Sequence, residues 1–247
     1  MIFIVHGRIK MKIKLNKITG LDDAIISMYE SKRTLTEELE AKIRLMVRHE
    51  VNDDGQIEKE YLSKELDEMF VKLFKWGKRH FTMLRFINLS ITVYGLHRGG
   101  MDDLDAHAQR MNNRIIRTST RLGEYKNEKS EFYEGKILTL DDLIERKVLT
   151  VPEKIEVDGK TYVKAVNGYV LEGLENEKDV LRGLFPLCIP MGAIININLT
   201  EYSHIYKERN ENGNAHPELK KAIESLTDQL IEKIPYIDRK YLMDIIN

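Results

Sequence analysis

The sequence predicts an α+β fold, with long helices packed on a small, mostly antiparallel sheet. Two kinds of segment point to it. Apolar residues recur at helical intervals over long runs, as from Glu58 to about Trp76 and from Pro217 to about Ile234. Short β-branched, alternating runs stand apart from one another, such as FINLSITVY at Phe86–Tyr94 and the stretch from about Ala193 to Ile197. No internal repeat breaks this into modules, so mixed helices with a few separated strands favour α+β.

Composition bounds the function. The chain has 247 residues, enough for one large domain or two small ones. Its 39 basic and 40 acidic residues leave a formal charge of −1, so no bulk field draws it onto nucleic acid or an anionic membrane. Any anion site must be local. A single cysteine, Cys188, excludes an intramolecular disulfide framework and a multi-cysteine zinc site, and favours a reducing, cytoplasmic setting. The opening MIFIV is too short for a signal core, and no later run approaches the roughly twenty apolar residues of a membrane span.

Taken in order, RIKMKIKL from Arg8 to Leu15 alternates strictly, placing Ile9, Met11, Ile13 and Leu15 on one face and basic residues on the other. It reads as an amphipathic strand whose lysines discourage edge pairing. Helices are expected over Leu21–Lys32 and Thr36–His49, the second capped by Thr34 or Thr36 with glutamates in its first turn. The loop EVNDDGQIEKEY has some oxygen donors of a calcium loop, but Glu50 and Tyr61 stand at its end positions, so a polar helix-to-helix turn is expected. Gly95 should end the strand at 86–94, with a GLHRGG loop leading to a helix from Asp102 or Asp103.

That helix is predicted to run to Tyr125. Arg110, Arg114, Arg117 and Arg121 follow at intervals of four, three and four, beside Met111, Ile115 and Leu122. Polar residues fill the gaps and few acids lie close in sequence, so the arginine row suits a phosphate-bearing ligand better than a merely solvated face. Beyond it, residues 126–175 read as a mostly surface insert, with Asp158-Gly159 turning a hairpin in KIEVDGKTYVKAV. A helix near Asp179–Leu184, the Pro186–Pro190 interruption, the strand at 193–197, a helix over about Leu199–Glu208 and a terminal helix with Pro217 in its first turn complete the chain.

The order of strand, glycine loop and helix, with Gln109, then Asn112-Asn113-Arg114, then Tyr125, resembles the flavin-dependent thymidylate synthases, whose helix carries Gln-x-x-Arg-His-Arg and closes in Ser-x-Arg-Tyr. A register slipped by three residues instead keeps serine and arginine as Ser119 and Arg121. The C-terminal half is more specific. Arg182 before Phe185-Pro186, Asn198 twelve residues after that proline, Arg209 eleven further on, and AHPELK from Ala215 reproduce the family's spacing. MKIKLNK from Met11 is similar to the family's first strand, which makes residues 1–10 an extension and 1–247 one domain with the insert at about 126–175.

The resemblance implies a homotetramer that binds FAD and converts dUMP to dTMP, with methylene-tetrahydrofolate supplying the carbon and NADPH the electrons. It implies that Gln109, Ser119, Arg121, Arg182 and Arg209 bind the pyrimidine deoxynucleotide, with Arg182 at the phosphate and Arg209 at a ring carbonyl as the catalytic group. Ser31, Arg114, Asn198 and His204 would line the flavin. Some family positions differ: Asn112-Asn113 replace a histidine-bearing pair, Arg85-Phe86 replace glutamate-histidine, Thr200 replaces arginine, and His204 replaces asparagine. The competing expectations are a homologue that binds a nucleotide without flavin chemistry, and a nucleic-acid-binding protein, which the near-zero charge disfavours.

Overall fold

A computed structural model describes residues 10–77, 81–108, 114–119, 126–210 and 212–245. In chain order the elements are β1 (Lys12–Thr19), α1 (Leu21–Ser31), α2 (Glu37–Glu50), α3 (Lys64–Gly77), β2 (Asn88–His97), α4 (Arg98–Ala108), β3 (Arg114–Arg117), α5 (Leu140–Glu145), β4 (Lys154–Val157), β5 (Lys160–Ala165), β6 (Gly168–Leu171), α6 (Lys178–Leu181), β7 (Pro190–Asn198), α7 (Leu199–Arg209), α8 (Pro217–Lys233) and α9 (Arg239–Asp244). Short 3-10 turns lie at Lys59–Tyr61, Phe81–Phe86 and Arg182–Leu184. Helices and small sheets together make the α+β class. Among the described residues, no helix is long and apolar enough to cross a membrane.

Packing divides the chain into two compact units. The larger comprises residues 12–93, 103–116 and 193–247. It holds β1 and most of β2, β7 and β3, which hydrogen-bond in that order into one sheet. The first strand behaves as its alternation predicts, with Ile13 and Leu15 buried and Lys12 and Lys14 exposed, although it continues to Thr19. Its free edge is protected less by lysine than by a glutamine. The Gln229 carboxamide on α8 accepts from Leu15 N at 2.9 Å and donates to Ile13 O at 3.0 Å, standing in for a neighbouring strand.

The helices form where caps and apolar stripes coincide. Thr36 caps α2, accepting from Leu39 N at 3.2 Å, and Pro217 opens α8 where its missing N–H costs nothing. Arg44 on α2 reaches Glu40 and the paired Asp22 and Asp23 of α1, fastening the two helices. The loop expected as a polar helix-to-helix turn is a tight one: Val51 bridges Ile57, and the Asn52 side chain accepts from Gln56 N at 2.9 Å. Tyr202 of α7 is fully buried, its hydroxyl 2.7 Å from Thr227 of α8, and burial pushes its phenol pKa upward.

The smaller unit comprises residues 94–102 and 117–192, with the chain's first eleven residues. The hairpin at Asp158-Gly159 is present: both residues have positive φ, 54° and 72°, and β4 pairs antiparallel with β5. A third strand, β6, extends this sheet antiparallel to β5. The segment that leads into it is pinned by Asp142, which with Thr139 forms a capping box at the start of α5. Asp142 also meets Lys129 at 2.5 Å and Asn127 at 3.1 Å, in a site where both charged side chains are 10% exposed.

Burial alone would raise the Asp142 pKa, but hydrogen bonds from Lys129 and from the Thr139 backbone and hydroxyl outweigh it and bring the carboxyl down to about 2. A depressed folded pKa means that stability is fully present above the unfolded value near 4 and is lost as pH falls toward about 2. Asp142→Asn is therefore expected to cost about 2 kcal/mol at pH 7. The deficit should shrink below about pH 4, read from urea midpoints measured across pH. A deficit of the same size at pH 7 and pH 2.5 would show that the charge contributes nothing.

Candidate functional site

The arginine row does not form one helical face. The predicted helix to Tyr125 stops at Ala108, and Arg114–Arg117 is the strand β3. Between its arginines lie Ile115 and Ile116, both β-branched and so favoured in a strand. A sheet neighbour fixes the strand. β3 pairs with β7, and just past it Thr118 N donates to Gly192 O at 2.8 Å. With Arg117 on a strand, a helical interval no longer sets it beside the rest of the row. Nor does Arg117 lack an acid, since it pairs with Asp102 of α4 at 2.5 Å. Gln109, Arg110, Met111, Arg121, Leu122 and Tyr125 lie outside the described residues.

Three of the expected residues meet on one element. Asn198 ends β7 and caps α7, its carboxamide oxygen accepting from Glu201 N at 2.9 Å. Arg209 is the last residue of the same helix, and His204 lies between them. Eleven residues at 3.6 per turn bring Asn198 and Arg209 back to within about 20° of one another, three turns and roughly 16 Å apart. Both are partly exposed, as is His204. The helix is fixed by Tyr202, Ile205 and Tyr206, which are buried, and by Leu199 N, which donates to Ile87 O at 2.8 Å.

The loop that follows holds Arg209. Its Nη1 donates to Asn214 O at 3.3 Å, while Gly213 N donates to Asn210 O at 3.0 Å and folds the loop against the helix end. A Cβ on Gly213 would lie 2.3 Å from Glu208 O, a backbone atom that cannot swing aside. Gly213→Ala is thus expected to cost about 1–3 kcal/mol, measured as a lower urea midpoint. An unchanged midpoint would mean that this loop is not packed on α7.

The remaining expected residues are dispersed. Ser31 ends α1, exposed, with its hydroxyl returned to Met28 O at 3.0 Å. Arg114 opens β3. Ser119 is exposed in the chain beyond β3, within the smaller unit. Arg182, also in the smaller unit, begins the 3-10 turn after α6 and pairs with Asp179 at 3.3 Å while partly open to solvent.

A further residue of the helix is Thr200, which stands where the resemblance has an arginine. The Thr200 hydroxyl is buried and has no hydrogen-bond partner among the described residues. It lies one turn before His204, so the two share a side of α7. Buried hydroxyls are normally satisfied, so the partner of this one lies outside the described residues.

Comparison with known proteins bears on the fold and the family. A family model described as "Thymidylate synthase complementing protein" matches residues 29–236, most of the chain. No curated protein matches by sequence. Among solved structures, thymidylate synthase X of Helicobacter pylori, crystallised with FAD and dUMP, is 17% identical with a TM-score of 0.52, over 94% of this chain and 99% of its own. The UMP/dUMP methylase PolB of Streptomyces cacaoi, bound with 5-Br dUMP, is 9% identical with a TM-score of 0.52, over 97% and 96%. At these identities the structures speak for the fold, and the family model for membership. The chain belongs to the thymidylate synthase complementing protein family, the flavin-dependent thymidylate synthases.

Proposed function

We propose that the protein is a flavin-dependent enzyme that transfers one carbon to C5 of a pyrimidine deoxynucleotide, converting dUMP to dTMP with methylene-tetrahydrofolate and NADPH. The observation that carries this is α7, where Asn198 and Arg209 stand at the spacing on which the resemblance rests, with His204 between them on the same helix. The donor set suits a flavin. Thr200 offers a buried hydroxyl in want of a partner, with the His204 imidazole one turn on, and Ser31, Arg114 and Asn198 complete the group assigned to the cofactor. When bound, the flavin supplies the two-electron chemistry that NADPH feeds.

The chain's own residues bind and polarise the nucleotide. Arg209 faces a uracil carbonyl, so its guanidinium stabilises the negative charge that spreads onto the ring oxygens as C5 becomes nucleophilic. Arg182 holds the phosphate, exchanging the Asp179 carboxylate for a doubly charged, bidentate partner. Gln109, Ser119 and Arg121 are assigned to the same nucleotide. A homotetramer is part of the proposal, supported by two large apolar side chains that face outward from neighbouring strands, Ile116 at 75% and Ile194 at 56% exposure.

The test is a visible absorption spectrum of the purified protein as FAD and then dUMP are added. A bound-flavin spectrum that dUMP perturbs supports one shared site, and dTMP formation with methylene-tetrahydrofolate and NADPH completes the case. A protein that stays colourless and does not retain FAD is no flavoenzyme. The favoured alternative is then a homologue that holds a nucleotide without flavin chemistry.

A further inference from the structure

The geometry points to a second ligand site near the C-terminal end of the chain, one that takes a small planar aromatic anion. A cleft of about 420 Å³ lies between α3 and the segment that enters α9, lined by Val71, Phe74, Lys75, Tyr236, Asp238, Lys240 and Tyr241. That volume falls in the range of small-molecule clefts, about 300–1,000 Å³. It belongs wholly to the larger unit, and Asp238, Lys240 and Tyr241 lie beyond the segment that matches the family model. The site does not rest on the flavin reading.

The walls select a flat ring. Tyr236 lies nearly parallel to both Phe70 and Phe74, with centroids 5.9 and 6.1 Å away, and Phe74 meets Tyr241 edge-on at 5.7 Å. Such an aromatic corner offers ring faces and edges to a planar guest. The rim selects the charge. Lys75 and Lys240 are exposed, whereas the Asp238 carboxylate is already engaged, accepting from Tyr241 N at 2.5 Å as the cap of α9. The balance of the mouth is positive.

A further group marks the cleft as built to receive something. Tyr241 is only 7% exposed, and its hydroxyl is buried without a hydrogen-bond partner among the described residues. A phenol left in that state forfeits the hydrogen bonds it would make to water. A guest with an acceptor atom in or on its ring would restore one.

Ligand-observed saturation-transfer NMR on the full chain tests this with quinoline-4-carboxylate, and with cyclohexanecarboxylate as the non-aromatic control. Saturation transfer to the quinoline, with much weaker transfer to the control, is expected. The exposed double variant Lys75→Ala/Lys240→Ala should weaken binding at least tenfold without loss of fold. Tyr241→Phe should weaken it about threefold while the unliganded Tm stays level or rises, since an unsatisfied hydroxyl has been removed. Binding should persist in saturating dUMP. The proposal is overturned if the quinoline does not bind at millimolar concentration. It is equally overturned if binding ignores the two lysines, or if dUMP displaces the probe.

Discussion

Arg209→Ala is expected to lower kcat/KM for dUMP turnover by about 10²–10³ while leaving the fold intact. The magnitude is that of removing one preorganised donor from a site where charge develops, about 2.7–4 kcal/mol. The side chain is partly exposed, donates to the Asn214 carbonyl at 3.3 Å, and ends α7 instead of packing within it. A helix-terminal arginine with no further role would contribute through the helix dipole, at most about 1 kcal/mol at such a position, and its loss would appear in the urea midpoint with kcat unchanged. Arg209→Lys separates the two readings. Lysine keeps the charge at the helix end, so a dipole role survives, but it lacks the planar pair of donors that a ring carbonyl would use. If Arg209→Lys retains full kcat/KM, or if Arg209→Ala loses stability without losing turnover, the catalytic assignment is wrong.

How much of this was legible before the structure depends on where each signal resides. The caps are local chemistry. Thr36, Pro217 and the Asp158-Gly159 turn act within a few residues of themselves, and all three appear where the sequence puts them. The α5 helix announces itself in the same way, by Thr139 and Asp142 three apart, but it spans only six residues, too short for its apolar positions to repeat. The C-terminal α9, capped by Asp238, was passed over for the same reason.

β3 is a different case. Arg-Ile-Ile-Arg carries its arginines at a helical interval but two adjacent β-branched residues that favour strand, and the partner that decides between them, β7, lies more than seventy residues further along the chain. The same divide runs through the site. The Asn198 to Arg209 spacing is three turns of helix, a relation written in sequence order. The hydroxyls of Thr200 and Tyr241 are not, because what marks them is burial without a hydrogen-bond partner among the described residues, and burial is set by the packing of distant segments.

Gly20→Ala should be the most damaging single change to the fold, costing about 3–5 kcal/mol. Gly20 joins β1 to α1 with φ 78° and ψ 18°, and its carbonyl accepts from Ala24 N at 3.0 Å to begin the helix. The left-handed backbone alone charges an alanine about 1–2 kcal/mol. The rest is steric: a Cβ here would sit 1.9 Å from Phe86 O and 2.9 Å from Phe86 C, and neither is a side chain that can rotate away. Moving Phe86 disturbs a bond from the Asn88 side chain to that same carbonyl, and it shifts the adjoining Ile87, whose oxygen receives Leu199 N at the start of α7. The damage should therefore travel from a turn between β1 and α1 to the helix that bears Asn198 and Arg209. Gly20→Asn divides the two contributions, because asparagine tolerates the left-handed conformation yet still carries a Cβ. If the collision dominates, urea midpoints will place the asparagine variant within about 1 kcal/mol of the alanine one. Recovery close to the wild-type midpoint would instead mean that the backbone angle is the whole cost, and that Phe86 is free to yield.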